Sequence, residues 1–264
     1  MKPLSDFQVP AGDGITGLLF DIDDTLTTRG SLTAAAYAAL HRAKAAGLIV
    51  VPITGRPAGW CDQIARLWPV DGVVGENGAF YMAYDAGSRK LVMRCVKSEA
   101  ERAADRVRLD AVAQDILDAV PGAALASDQA YRIADIAIDF CEDVPRLAPQ
   151  DVERIRRIME ARGLTAKVSS IHVNGWFGGY DKLSTTRLFL AERHGIDLDA
   201  SASRFVFVGD SPNDAPMFAY FPHSVGVANV RAFSDRLATP PAYVTASECG
   251  AGFAEVVDAL LGVR

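Results

Sequence analysis

Apolar and polar positions change rhythm twice along the chain. Residues 15–20 form a short apolar run that ends in Asp21, Asp23 and Asp24. A run of that length, bounded by Gly14 before and charge after, predicts a buried strand. An Ala-rich stretch from Ser31 to Ala46, stopped by Gly47, predicts a helix. Residues 48–53 repeat the buried-strand pattern and run into Thr54, Gly55, Arg56 and Pro57. A helix is expected next, with Trp60, Ile64 and Leu67 on its inner face. Residues 71–74 read as a third strand, ending in Gly75, Glu76, Asn77 and Gly78. Strands and helices alternating at short intervals predict parallel βαβ units.

The pattern then shifts. Residues 79–84 and 91–96 flank a polar turn and read as a hairpin. A charged amphipathic helix is expected over 99–120, stopped by Pro121 and Gly122. Residues 131–140 alternate apolar and polar side chains (Ile133, Ile136, Ile138), so a strand with one wet face is expected. A second amphipathic helix over 149–162 and strands over 164–168 and 171–176 follow. From Asp181 the βα rhythm returns. It gives a helix over 182–194, a strand over 204–208, a helix from Ala215, short strands near 224–227 and 242–245, and a last helix over 252–261. The fold expected is α/β: a doubly wound, Rossmann-like parallel-sheet core from residues 1–84 and 179–264. An α+β domain is inserted at 85–178, with Gly178 and Gly179 as its hinge.

Composition narrows the class. The chain has 264 residues, half apolar and 23% charged, enough for a full core. A net charge of -6 and no basic run argue against a nucleic-acid partner. No apolar run reaches the ~18 residues of a membrane span, and residues 1–6 carry no apolar signal core. Cys61, Cys95, Cys141 and Cys249 are widely spaced and form no metal-binding pair. A cytoplasmic protein without disulfides is expected, and nothing in the sequence sets an oligomeric state.

The candidate chemistry lies where apolar strands end in polar groups. Asp21 and Asp23 are two residues apart, so in extended chain they face one side. Adjacent buried carboxylates repel unless something cancels their charge. A hard divalent ion, completed by waters and phosphate oxygens, answers to magnesium. Thr54, Lys182 and the pair Asp210 and Asp214 stand at comparable places. In an open parallel sheet, groups at strand carboxyl ends converge on one crevice.

Residues 21–27 resemble the DxDxT motif of the haloacid dehalogenase superfamily. Thr54-Gly55-Arg56 is similar to its second motif, Lys182 to its third, and the GDxxxD run of residues 209–214 to its fourth. The insertion between the second and third motifs resembles the Cof-type branch with a large α/β cap, and residues 75–79 are similar to a further marker of that branch. Residues 209–217 look most like the mannosyl-3-phosphoglycerate phosphatases, with sucrose-phosphate phosphatases as near relatives. The resemblance implies a magnesium-dependent phosphatase acting on a small phosphate monoester, a sugar phosphate or glycosyl-phosphoglycerate. Asp21 would be the nucleophile, forming an aspartyl-phosphate. Asp23 would be the acid and base. Thr54 and Lys182 would hold the phosphoryl group. Magnesium would sit on Asp21, Asp210 and the Asp23 backbone carbonyl. Asp214 would hold a metal-bound water or pair with Lys182.

Gly55, Arg56, Asn213 and Asn174 are candidate substrate contacts; for Arg56 a surface salt bridge fits equally well, and for Asn213 a helix cap. Arg132 is a weaker candidate for a substrate carboxylate or sugar. Asn77 reads as a turn residue, and His41, His172, His194 and His223 as structural. The partner expected is a small phosphorylated metabolite, with neither nucleic acid nor membrane. Two rival functions share parts of this equipment: a phosphomutase, and a receiver-like domain phosphorylated on aspartate. Asp23 and the insertion argue against the receiver. Carbon–halogen hydrolysis is disfavoured by the full metal set.

Overall fold

The computed structural model of the chain describes residues 1–9 and 14–262. Its first half runs β1 Lys2–Pro3, β2 Gly17–Phe20, α1 Ala34–Ala45, β3 Ile49–Pro52, α2 Ala58–Leu67, β4 Val73–Gly75, β5 Phe80–Asp85, β6 Lys90–Cys95 and α3 Glu99–Ala119. There follow β7 Ala124–Leu125, β8 Asp135–Asp139, α4 Pro149–Ala161, β9 Thr165–Val168, β10 His172–Trp176 and α5 Lys182–His194. The chain closes with α6 Leu198–Ser201, β11 Phe205–Gly209, α7 Ala215–Tyr220, β12 His223–Gly226, β13 Tyr243–Val244 and α8 Cys249–Leu261. No helix among the described residues is long and apolar enough to cross a membrane.

Six strands form one sheet in the order β1-β13-β12-β11-β2-β3. Every neighbouring pair in it is parallel. The central strands are buried on both faces, and alternate residues go to opposite sides. Leu18, Phe20, Val50, Val206 and Val208 pack with Leu40 of α1 and Phe253 and Val257 of α8. Leu19, Val51, Phe205 and Phe207 pack with Phe189 and Leu190 of α5 and Phe218 of α7. This is the doubly wound core. Its register sets Phe20 beside both Pro52 and Val208. The residues just beyond these three positions therefore emerge together at one edge.

Capping explains where the helices begin and stop. Thr33 accepts the Ala36 amide at the start of α1. Asp181 and Ser184 form a reciprocal box at the start of α5, and Gly195 ends that helix with φ 64°.

Two antiparallel sheets complete the molecule. In one, β5 pairs with β4 and, along its whole length, with β6. The sequence pattern predicts β4 as a third parallel strand. It does meet the end of β3 in the parallel sense, through the Ile53–Val74 bridge, and on its other side it pairs antiparallel with β5. The expected domain boundary at residue 85 falls inside the β5–β6 hairpin. The other sheet, β7-β8-β10-β9, buries Ile136, Ile138 and Val173 against Leu109 and Ile116 of α3 and Ile155 and Met159 of α4.

Two local expectations fail. The inner face of α2 is built from Ala58, Cys61, Ile64 and Ala65, while Trp60 and Leu67 are 46% and 66% exposed. Small side chains let the helix sit close to β4 and β5, and large ones go outward. Nor does β8 have a wet face, because Asp135, Ala137 and Asp139 are as buried as Ile136 and Ile138. Asp135 pairs with Arg132, and Asp139 accepts the amides of Cys141, Glu142 and Asp143. Alternating polarity on that strand records a satisfied polar layer, not solvent.

Candidate active site

The carboxyl ends of β2 and β11, and the start of α5, meet around one lysine. Lys182 Nζ donates to Asp21 Oδ1 and to Asp214 Oδ1, each at 2.8 Å. Asp214 turns its other oxygen to the Asp210 amide at 3.1 Å. That contact depends on Gly209, where a Cβ would stand 2.5 Å from Asp214 Oδ2. Asp210 is fixed from its other side: Thr25 Oγ1 donates to Oδ1 at 3.2 Å and Asn229 Nδ2 to Oδ2 at 3.3 Å. Asp21, Asp210 and Asp214 are all buried.

These three carboxylates each offer an oxygen within 4.8 Å of the others. One ammonium faces them, so two negative charges stay uncompensated when all are ionised. The electrostatics register the imbalance. Burial pushes Asp21 up to about 7, against the pull of Lys182. Burial, then Asp21 and Asp214, hold Asp210 well above the ordinary carboxylate range. Burial alone would lower Lys182, but the two carboxylates more than offset it and its pKa rises. A buried all-oxygen donor set with excess negative charge fits a hard divalent cation. Asp214 is tied by its two oxygens to Lys182 and to the Asp210 amide. Both Asp210 oxygens also accept a hydrogen bond, from Thr25 and Asn229, so an ion at Asp210 would use the second lone pair of an oxygen that is already engaged.

The Asp23 carboxylate is outside that cluster. Arg56 holds it through Nε at 3.0 and 3.1 Å and Nη2 at 2.8 Å. The same guanidinium reaches Glu142 at 2.8 Å and Asp128 at 3.4 Å, both on the segment between α3 and α4. His172 Nε2 stands 2.9 Å from the other Glu142 oxygen. Of the two readings of Arg56, the ion pair is present, but it is buried and joins the core to the inserted sheet. Trp60 covers it, with the guanidinium carbon 4.6 Å from the ring centroid.

The remaining candidates gather nearby. Thr54 is fully buried at the end of β3, and its Oγ1 accepts the Arg56 amide at 3.0 Å, leaving its hydroxyl proton available. Asn174 donates to Asp135 at 3.0 Å, and Arg132 ties Asp135 to the Gly55 carbonyl. Asp21, Asp23, Gly55, Arg56, Asn174, Asn213 and His172 line one cavity of about 20 Å³, room for about one water. A larger groove opens beside it, reaching Asp24 and Asp210.

Several partners are not foreseeable from motifs. Thr25 lies within the aspartate motif, so its neighbourhood was a signal. Asn229, Asp128 and Glu142 carry none, because loop packing alone brings them in. His41, His194 and His223 line neither cavity nor groove.

Residues 18–103 match the sequence model of the haloacid dehalogenase-like hydrolases. The fold is theirs. Among solved structures with this haloacid dehalogenase-like architecture, a Thermoplasma acidophilum protein superposes with a TM-score of 0.70 at 19% identity, over 94% of this chain and 98% of its own. A sucrose-phosphatase from Synechocystis, solved with sucrose and phosphate, gives 0.63 at 15% identity over 93% and 98%. A phosphatase of this superfamily from Bacteroides thetaiotaomicron gives 0.63 at 20% identity over 98% and 100%. At these identities the likeness concerns the fold. No curated protein matches the chain.

Proposed function

We propose that the protein is a magnesium-dependent phosphatase that hydrolyses a small phosphate monoester, of the sugar phosphate or glycosyl-phosphoglycerate class, through an aspartyl-phosphate on Asp21. The observation that carries the reading is the division of labour between two aspartates two residues apart. Asp21 sits in the buried cluster on Lys182, while Asp23 is held separately by Arg56.

The chemistry follows from that division. An oxygen of Asp21 attacks phosphorus while the ester P–O bond breaks, and Asp23 gives its proton to the departing alkoxide. The Asp23 carboxylate then takes a proton from water. The hydroxide attacks phosphorus, the bond to Asp21 breaks, and inorganic phosphate leaves. Lys182 and the Thr54 hydroxyl neutralise and orient the phosphoryl oxygens. Asp214 holds Lys182 in place. Magnesium, held by Asp21, Asp210 and the Asp23 carbonyl, would supply positive charge against which Asp21 and the phosphoryl group approach one another. Gly55, Arg56, Asn174 and Asn213 would contact substrate.

A cavity with room for about one water admits no sugar phosphate, so the reading includes a cap, residues 85–178, that moves on the core to let substrate in. A fold shared with a sucrose-phosphatase supports the substrate class. The proposal places the enzyme in the cytoplasm, with a small metabolite as its partner. The test is a panel of phosphorylated sugars and glycerates, scored for magnesium-dependent phosphate release, with Asp21→Asn as control. Turnover that survives Asp21→Asn sinks the assigned nucleophile.

A further inference from the structure

Two consecutive non-glycine residues, Glu76 and Asn77, hold left-handed backbone, with φ 43° and 55°. Such residues cost about 1–3 kcal/mol each and persist only where their surroundings over-determine them. Here the surroundings do so. The Glu76 side chain is fully buried and accepts three backbone amides: Ala58 at 3.1 Å, Ile133 at 3.0 Å and Ala134 at 2.7 Å. The backbone amides of Glu76 and Asn77 donate to Arg56 and Thr54 carbonyls at 3.1 and 3.0 Å. Behind them Gly78, φ 105°, lies so close to α5 that a Cβ would stand 2.0 Å from the Asp181 carbonyl. Thr185 clamps the Gly78 carbonyl from α5. The turn is wedged between the Thr54-Gly55-Arg56 segment and the start of the helix that carries Lys182.

What this turn holds in place is the Asn77 amide. Asn77 is 3% exposed, and its Nδ2 has no hydrogen-bond partner among the described residues. A buried unpaired donor costs about 1–3 kcal/mol and calls for a reason. Nδ2 and Oδ1 lie 3.2 and 3.4 Å from where a Cβ on Gly55 would be. On the other side Asn77 shares a second small cavity with Lys182 and Asn213. Asn213 also lines the cavity that holds Asp21 and Asp23. The idle donor therefore stands against Gly55, in a residue that shares its cavity with Lys182 and Asn213. A turn residue needed only for its backbone could be glycine, with no donor left idle.

We propose that Asn77 is a phosphoryl-binding residue, its Nδ2 donating to a non-bridging phosphoryl oxygen beside Lys182. The proposal rests on the phosphatase reading and adds a contact to it. It explains both the strain, which aims the amide, and the missing partner, which substrate provides.

Asn77→Gly tests it, because glycine adopts the left-handed backbone without strain and removes only the amide. Asn77→Asp is the second variant; it is isosteric, tolerates the same backbone and replaces the donor with an acceptor. The probe is inorganic phosphate, titrated calorimetrically into the magnesium-loaded full chain, beside kcat and KM for one aryl and one alkyl phosphate. A hydrogen bond to a charged oxygen predicts phosphate binding weaker by roughly 10- to 100-fold in Asn77→Gly, and weaker still in Asn77→Asp. The loss should be equal for the two esters, since they share the phosphoryl group. Wild-type phosphate affinity in Asn77→Gly overturns the proposal while leaving the phosphatase reading intact. So does a loss confined to one ester, which would place the contact on the leaving group. A wild-type protein that neither binds phosphate nor hydrolyses any ester overturns both.

Discussion

Replacing Glu142 by glutamine tests the junction between the inserted sheet and the core. Its carboxylate stands between His172 at 2.9 Å and Arg56 at 2.8 Å. His172 first, and then Arg56, lower its pKa from 4.5 to about 2, against the opposing effect of burial. A drop of about 2.5 at 1.36 kcal/mol each is worth about 3.4 kcal/mol. Glu142 is only half-buried, so solvent screening reduces that to about 1–2 kcal/mol. The folded value lies below the unfolded one. The stabilisation is therefore complete above pH 4.5 and is lost as pH falls towards 2. Glutamine never carries the charge. The stability difference between wild type and Glu142→Gln should be about 1–2 kcal/mol at pH 7 and shrink towards zero near pH 2. Urea unfolding of both proteins at a series of pH values measures it. Taking the difference cancels the acid sensitivity of every other carboxylate. A difference that stays constant, or grows as pH falls, would refute the assignment of this ion pair.

Three further outcomes are expected. Lys182→Met leaves Asp21 and Asp214 buried without their cation and should cost about 3–5 kcal/mol in metal-free protein, read by thermal or urea unfolding; a neutral effect would contradict the buried pairing. Chelator should abolish phosphate release and added magnesium restore it. At a hundredfold excess over Kd, magnesium should add about 2.7 kcal/mol of stability, a rise of roughly 5–10 °C in Tm, and a Tm indifferent to magnesium would count against the metal site. Gly209→Ala drives a methyl to 2.5 Å from Asp214 Oδ2, displacing the group that holds Lys182 and the Asp210 amide; kcat should fall about 10²- to 10³-fold, and wild-type kcat would show that this carboxylate does not position the lysine.

How much of this was legible in the sequence depended on whether local rules decided the outcome. Helix α5 starts and stops where Asp181 and Gly195 place it, since a cap and a left-handed glycine are local devices. The convergence of Asp21, Thr54 and Asp210 was legible for a topological reason. Parallel strands in register deliver their ends to one edge whatever lies between them in sequence. On α2, hydrophobicity alone places Ile64 correctly but not Trp60 and Leu67, because volume also decides what the inner face accepts. Trp60 is apolar, but the space against β4 and β5 fits alanine and cysteine, and the indole instead covers Arg56. The polar positions of β8 are not legible as buried in the sequence, because the partners that satisfy them, Arg132 for Asp135 and three amides for Asp139, are set by the fold. Asn77 looked like a turn residue, which it is. Its unpaired amide is visible only in three dimensions.

The junction also bears on which half of the proposed substrate class the site suits. In the cavity beside Asp21 and Asp23, the lining cations are Arg56 and Arg132, with His172 against Glu142. Arg56 meets Asp23, Asp128 and Glu142, while Arg132 meets Asp128 and Asp135. Four carboxylates against two guanidiniums leave no cation there in surplus for a carboxylate on the leaving group. A glycerate would have to break an existing ion pair and strand a half-buried carboxylate to gain a new one. The other polar groups lining this cavity are uncharged, Ser169, Ser170, Asn174, Ser211 and Asn213, while Arg146, Arg156 and Arg236 line the groove beside it. Hydroxyl and amide groups pair with sugar hydroxyls without displacing any charge, and a site built to hydrogen-bond them discriminates strongly against a partner that leaves them unpaired. Under the proposed function, the charge balance of this cavity favours a neutral sugar over a phosphoglycerate, and a phosphoglycerate would need its carboxylate to reach the arginines of the neighbouring groove.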